Sequence, residues 1–421
     1  MGFVDDFREF WGNQSRNFKV FLVRDMIGTL LGNIGGRYGT IYMSNLGASA
    51  VDIGLLSSVL SLVRTLLSLP GGILTDRVKR IKRLYLTGRL LMLPVNLLKA
   101  VAIGWPMYFY TRVYEVMTFR ITMPTGNILS IASITNRDRV RGLVMNRTVI
   151  AAIGLIAPIL SAYAITYFGG LESVESFRPL FMIQFAVSIV VFLLLATQLE
   201  EPEFERKASQ EGSVLQSTFY IFRQVPGLRG LLLLNVVRTF FMEIRMPLMQ
   251  LYYYEVKNAD AFVIAYMGTI STAVTLLLSV PMGNVADRVG RRKMGYISQV
   301  VYAACILAAI FTPASQPEWL LLYSFLSSVG GAMDVGWNAY IQGYIPLDLR
   351  GRWMGVNTMA TALISIPAPI IGGLIWAINP DYLWWISFVF YLFLAIPLRM
   401  SIPEDGVALE EEAENPTEGD G

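Results

Sequence analysis

Histidine is absent from this 421-residue chain, and cysteine occurs once. The first absence removes the usual zinc ligand and any pH switch built on imidazole. The second excludes an intrachain disulfide. Cys305 lies in the apolar run "YAACILAAIF", so a buried, inert thiol is expected. Charge is scarce too: 15% of residues are charged against 54% hydrophobic, with a mean hydropathy of +0.51. Soluble domains carry roughly 25% charged residues, so lipid is the expected solvent for most of the chain. A net charge of +3 is too small to point to a nucleic-acid partner. No GxxxxGK[ST] phosphate loop appears, and no nucleophile–base cluster is present, so neither an ATPase nor an enzyme is expected. No metal or organic cofactor is expected either. The N-terminal "MGFVDDFREFWGNQSRN" lacks an apolar core and a cleavage site, which argues against a cleavable signal peptide.

What the chain does have is apolar runs. A helix needs ~20 apolar residues to cross the hydrocarbon core, and about twelve such runs can be read, six between Phe18 and Leu199 and six between Leu231 and Met400. Basic residues concentrate in alternate loops: Arg77, Lys79, Arg80, Lys82 and Arg83 after span two, and Arg288, Arg291, Arg292 and Lys293 after span eight. The positive-inside rule then predicts that both termini and these charged turns are cytoplasmic, in a multi-pass protein of the plasma membrane. The expected organisation is a cytoplasmic N-terminus over 1–17, a six-helix bundle over 18–199 and a polar linker with an amphipathic segment over 200–229. A second six-helix bundle over 230–400 and an acidic, disordered cytoplasmic tail over 401–421 complete it. The fold class is therefore all-α integral membrane, twelve transmembrane helices in two pseudo-symmetric six-helix bundles.

The symmetry is written in the sequence. "GILTDRVKRIK" from Gly72 and "GNVADRVGRRK" from Gly283 are the same charged turn 211 residues apart. At that shift Pro70, Gly72, Asp76, Arg77, Val78 and Arg80 fall on Pro281, Gly283, Asp287, Arg288, Val289 and Arg291, and "APILSA" at Ala157 falls on "APIIGG" at Ala368. Two homologous halves in parallel orientation are the signature of a transporter that rocks one half against the other. In physical terms, Gly72 and Gly283 would let helix ends approach closely. Asp76 and Asp287 would accept hydrogen bonds from a helix N-terminus, and Arg80 and Arg291 would close local ion pairs.

At these residues the chain resembles the major facilitator superfamily. The second turn matches that family's signature loop at Gly283, Asp287, Arg288, Gly290, Arg291 and Arg292; in the first copy Lys79 replaces the second glycine. The resemblance covers Phe18 to Met400. It implies that both loops form a cytoplasmic gate, and that spans one, four, seven and ten line a central cavity. Span five of the family's proton-coupled exporters resembles glycine-proline, two residues, glycine-glycine. Here "AP..SA" keeps Pro158 without the glycines, while span eleven, with Pro367, Pro369, Gly372 and Gly373, is nearer that pattern. These three prolines are expected to kink their helices.

Charges inside spans cost ~2.5–3.5 kcal/mol each on insertion scales, so each needs a partner or a watery cavity. Asn33, Arg37, Arg112, Glu115, Arg238, Glu243 and Asp334 lie on spans one, four, seven and ten and are the candidate substrate and proton residues. Arg112 and Glu115, three apart, share a helix face. Arg24, Asp25 and Arg89 read as boundary or snorkelling residues. The expected function is alternating-access secondary transport of a small organic solute by a monomer in the lipid bilayer, with H+ as the coupling ion and export as the direction. Import or facilitation of an anionic solute is the alternative, favoured mildly by the excess of arginine in the first half; a receptor or scaffold on the same fold is the alternative of a different class.

Overall fold

The computed structural model describes residues 11–12, 14–68, 80–134, 139–201 and 227–402, with the single positions 78, 222 and 225. All regular structure among them is helical, in twelve spans that form two six-helix halves. Six spans are long and apolar enough to be recognised by length and composition alone: Val140–Tyr167, Val174–Gln198, Ala261–Val289, Arg291–Phe311, Leu347–Ile378 and Asp381–Met400. The other six are short, interrupted or carry charge. Trp105–Ala132, for example, holds Arg112, Glu115 and Arg120.

The interruptions recur in both halves. Span one runs as Arg16–Gly36, breaks at Arg37 and Tyr38, and resumes as Gly39–Asn45. Span seven runs as Leu228–Glu243, breaks at Ile244 and Arg245, and continues through the 3-10 turn Met246–Leu248 to the π-helical Tyr252–Val256. Span three, Ile81–Met92, restarts at Pro94 as Pro94–Ala100, because proline removes an N–H and fits the first turn of a new helix. Span eleven stops at Ile364 and restarts at Ala368, so Pro367 and Pro369 mark a true break. Pro158, by contrast, lies inside the continuous helix Arg139–Tyr167. Irregular backbone at membrane depth persists only where protein or a cavity satisfies it.

The chain divides into two compact units, Met1–Ala48 with Val59–Ala208 and Ser49–Ser58 with Ser209–Gly421. In the first unit span one packs on spans five and six, and span three on four and six. Its core gathers Phe21, Ile81, Tyr85, Leu129 and Leu195, all buried. In the second, span ten packs on eight and nine, and Leu228, Leu231, Trp337, Tyr344 and Trp353 form the core. Residues 49–58 pack in this second unit: a Cβ on Gly373 would stand 2.7 Å from the Ala50 carbonyl oxygen. Large apolar side chains such as Ile103, Tyr167 and Leu277 are exposed at the surface, as a protein bathed in lipid requires. Cys305 is buried, as its apolar run predicts.

Candidate substrate and coupling site

Inside the first unit lies a cavity of about 580 Å³, walled by spans one, three, four and six with Ile150 of span five. Four basic and two acidic side chains line it: Arg24, Arg89, Lys99 and Arg112 against Asp25 and Glu115. Small or weakly polar residues also line it, among them Gly28, Gly32, Thr122 and Ser188. Such a volume suits a small organic molecule.

At one end Glu115 is held between two cations. Arg112, one turn back on span four, reaches it directly, and Lys99 Nζ of span three lies 2.9 Å from it. The restart at Pro94 carries Lys99 to this level, and Lys99 is itself buried. A carboxylate clasped by two cations satisfies the intramembrane charge, and it leaves the cluster with one positive charge in excess.

At the other end, two guanidinium groups converge on one phenol. Arg24 Nη1 donates to Tyr85 Oη at 2.8 Å, and Arg89 Nε donates to the same oxygen at 3.1 Å. Arg24 also pairs with Asp25, whose second oxygen accepts from Asn146 at 3.3 Å. Gly126 of span four makes room: a Cβ there would stand 3.8 Å from Arg24 Nη1 and 3.1 Å from the Tyr85 ring. Arg24, Asp25 and Arg89, read from sequence as boundary residues, line the cavity instead. Run length alone gives their depth, but the neighbour that holds Arg24, Tyr85, is 61 residues away in the chain.

In the second unit Asp334 plays the part that Glu115 plays in the first. Arg238 Nη2 of span seven lies 3.1 Å from one carboxylate oxygen and Arg399 Nη2 of span twelve 3.2 Å from the other. Ser298 Oγ donates to Asp334 at 2.7 Å. Arg399 is almost wholly buried. It donates to the Gly295 carbonyl and lies over the Trp337 ring, 4.3 Å from its centroid. Gly295 permits this, because a Cβ there would meet Trp337 at 2.6 Å and Arg399 at 2.9 Å. Arg245, at the break in span seven, is also buried and lies 4.8 Å from the centroid of Trp384.

The remaining sequence candidates fall as follows. Asn33 and Arg37 bond one another, Arg37 Nη2 donating to Asn33 Oδ1 at 3.2 Å while the Asn33 amide donates to the Thr29 carbonyl at 2.8 Å. Neither borders the cavity. Glu243 ends the first helix of span seven at the break and is partly buried. In the charged turns, Asp287 and Arg291 form the expected local pair at 2.8 Å, both well exposed, and Arg288 is exposed beside them. Gly290 joins spans eight and nine with φ of 105°, the left-handed region that favours glycine. Gly283 departs from expectation: a Cβ there meets nothing within 4 Å among the described residues, so no described helix crowds it. In the first copy Arg80 caps span three and is exposed, whereas Gly72, Asp76 and Arg77 lie outside the described residues.

Lys99 and Arg399 were missed by sequence reading. Each sits near a span end, where a basic residue is unremarkable, and its carboxylate partner is on another span. Only packing supplies the partner.

The description "Major Facilitator Superfamily" matches this chain over residues 20–242 and 231–418. An uncharacterised MFS-type transporter of Methanocaldococcus jannaschii is 27% identical over 103 residues, 24% of this chain and 26% of that relative, so the chain matches about a quarter of that protein's length. Among solved structures, the nucleoside transporter NupG is similar with a TM-score of 0.72 at 15% identity, over 91% of this chain and 98% of that one. A bacterial homologue of the iron transporter ferroportin, in an inward-facing state, gives 0.72 at 15% identity over 91% and 98%. A D-xylose–proton symporter gives 0.62 at 13% identity over 91% and 98%. At these identities the structures establish the shared fold, and the sequence match establishes the family. The charged turn repeated at 211 residues and the twelve spans are thus those of a secondary transporter, not an enzyme, and the chain belongs to the major facilitator superfamily.

Proposed function

We propose that this transporter moves a small organic solute bearing an acidic group, coupled to H+, by alternating access. On this reading it works as a monomer in the plasma membrane with both termini cytoplasmic and no bound cofactor. The observation that carries the proposal is Glu115, bridged to Lys99 and Arg112 at the edge of a cavity with more basic than acidic side chains. An acidic solute and Glu115 compete for the same N–H donors. When the solute takes them, Glu115 is left without its cations and holds a proton instead; when the proton leaves, Glu115 reclaims Lys99 and Arg112 and the solute is expelled. Solute and proton therefore bind together, which favours symport and, under an inward proton gradient, uptake.

Export is the second reading. It rests on the proline pattern of spans five and eleven, and Pro158 in span five lies in an unbroken helix while Pro367 and Pro369 mark the break in span eleven. The experiment is solute-driven proton movement in proteoliposomes of known orientation. Co-movement of acid and proton, lost in Glu115→Gln, supports symport. Counter-movement of solute and proton overturns it in favour of export.

A further inference from the structure

We infer that Arg24, Tyr85 and Arg89 form a second anion-recognition station, separate from the Lys99–Glu115–Arg112 cluster, which takes the carboxylate or phosphate of an amphipathic ligand. Both arginines donate to the Tyr85 oxygen, at 2.8 and 3.1 Å. A phenol oxygen has two lone pairs, so its own O–H is left to donate. The fork of Arg89 keeps further N–H groups, and among the described residues no carboxylate lies within ion-pair distance of it. Asp25 neutralises Arg24, leaving Arg89 as the charge in excess. Three donor groups, two guanidinium and one phenol, thus converge beside a cavity, opposite a glycine that leaves them room.

The two clusters stand at different depths. Glu115 and Gly126 are on one helix, eleven residues and about 16 Å apart at ~1.5 Å per residue. One acid group cannot touch both clusters at once. The Arg24–Tyr85–Arg89 end holds the ligand's acid group when Glu115 still occupies Lys99 and Arg112, so the cavity offers a resting place that does not require the proton. This inference rests on the transport reading only for its purpose; the binding it asserts stands by itself.

The test uses the full-length chain in phosphatidylcholine nanodiscs. Unfolding temperature is followed against benzoate and hexyl phosphate, with benzamide and hexanol as neutral counterparts. Both acids should raise it saturably and the neutral probes should not. Arg89→Gln, with Lys99 and Arg112 untouched, should raise the dissociation constant of the acids about tenfold or more, the scale of a charge-assisted hydrogen bond; Arg89→Lys should recover part of the loss. Gly126→Val, which fills the space beside Arg24 without altering charge, should weaken the acids similarly. Equal shifts by acids and neutral probes overturn the inference, and so does unchanged acid affinity in both Arg89→Gln and Gly126→Val.

A phosphatidylglycerol arm identifies the source of the acid group. If wild-type protein melts higher in those discs, Arg89→Gln erases the difference and soluble acids lose their effect there, the occupant is a lipid headgroup. If soluble acids bind equally in both lipids, it is a solute. Failure of the two readings is distinguishable: acid binding at Arg89 without uptake into proteoliposomes sinks transport of these acids and keeps the station, whereas proton-coupled uptake with unchanged KM in Arg89→Gln sinks the station and keeps the transport.

Discussion

Arg399 and Asp334, 65 residues apart in the chain, meet 3.2 Å apart in the interior of the second unit, where the arginine is about 1% exposed. Arg238 completes the triad from span seven. One fully buried guanidinium, Arg399, and one partly exposed one, Arg238, thus depend on a single carboxylate.

Replacing Asp334 by Asn removes that charge without changing its size, and leaves both arginines uncompensated. Breaking a buried pair from one side costs about 3–5 kcal/mol. The expected result is a large loss of thermal stability in detergent. Asp334→Leu combined with Arg399→Met should recover much of it, and a single variant that melts like wild type would show that the triad is not a structural lock.

Gly295 touches the same cluster from span nine. Ala at this position would set its methyl 2.6 Å from the Trp337 ring and 2.9 Å from Arg399. Overpacking of this kind costs roughly 1–3 kcal/mol. We expect Gly295→Ala to lower the unfolding temperature and Trp337 fluorescence to change with it. Gly283→Ala, whose methyl would meet no described atom within 4 Å, should leave both unaltered.

The Asp287–Arg291 pair is exposed on both sides and should contribute little to stability, about 0.2–1 kcal/mol. Asp287→Asn is therefore expected to melt like the wild type. If the turn is the gate that the family resemblance implies, uptake should fall severalfold in the same variant. Unchanged uptake would reduce the turn to a topology signal.

Gly290→Ala tests the joint between spans eight and nine. A φ of 105° costs an L-residue roughly 1–2 kcal/mol, so a modest loss of stability should accompany the substitution. No loss would mean the joint relaxes freely.

Cys305 is 2% exposed. Maleimide should leave the folded protein unlabelled and react once per chain on denaturation, which provides an unfolding probe for all the variants above. Rapid labelling of the folded chain would overturn its burial.

Much of this protein was decided by composition and period. Apolar runs too long for a soluble core, basic loops at alternate turns and a charged motif repeated at 211 residues specify twelve spans, two halves and the family, because lipid demands helices and charge resists crossing it. The pair Arg112–Glu115 was legible too, since three residues on one helix share a face whatever surrounds them. Contacts between spans were not. Lys99 against Glu115, Arg399 against Asp334 and Arg24 on Tyr85 depend on how separate helices turn toward one another, and the breaks at Pro94 and Ile244 that set those turns depend on local backbone. Sequence fixes which charges enter the membrane; packing alone decides which of them a ligand or a proton can reach.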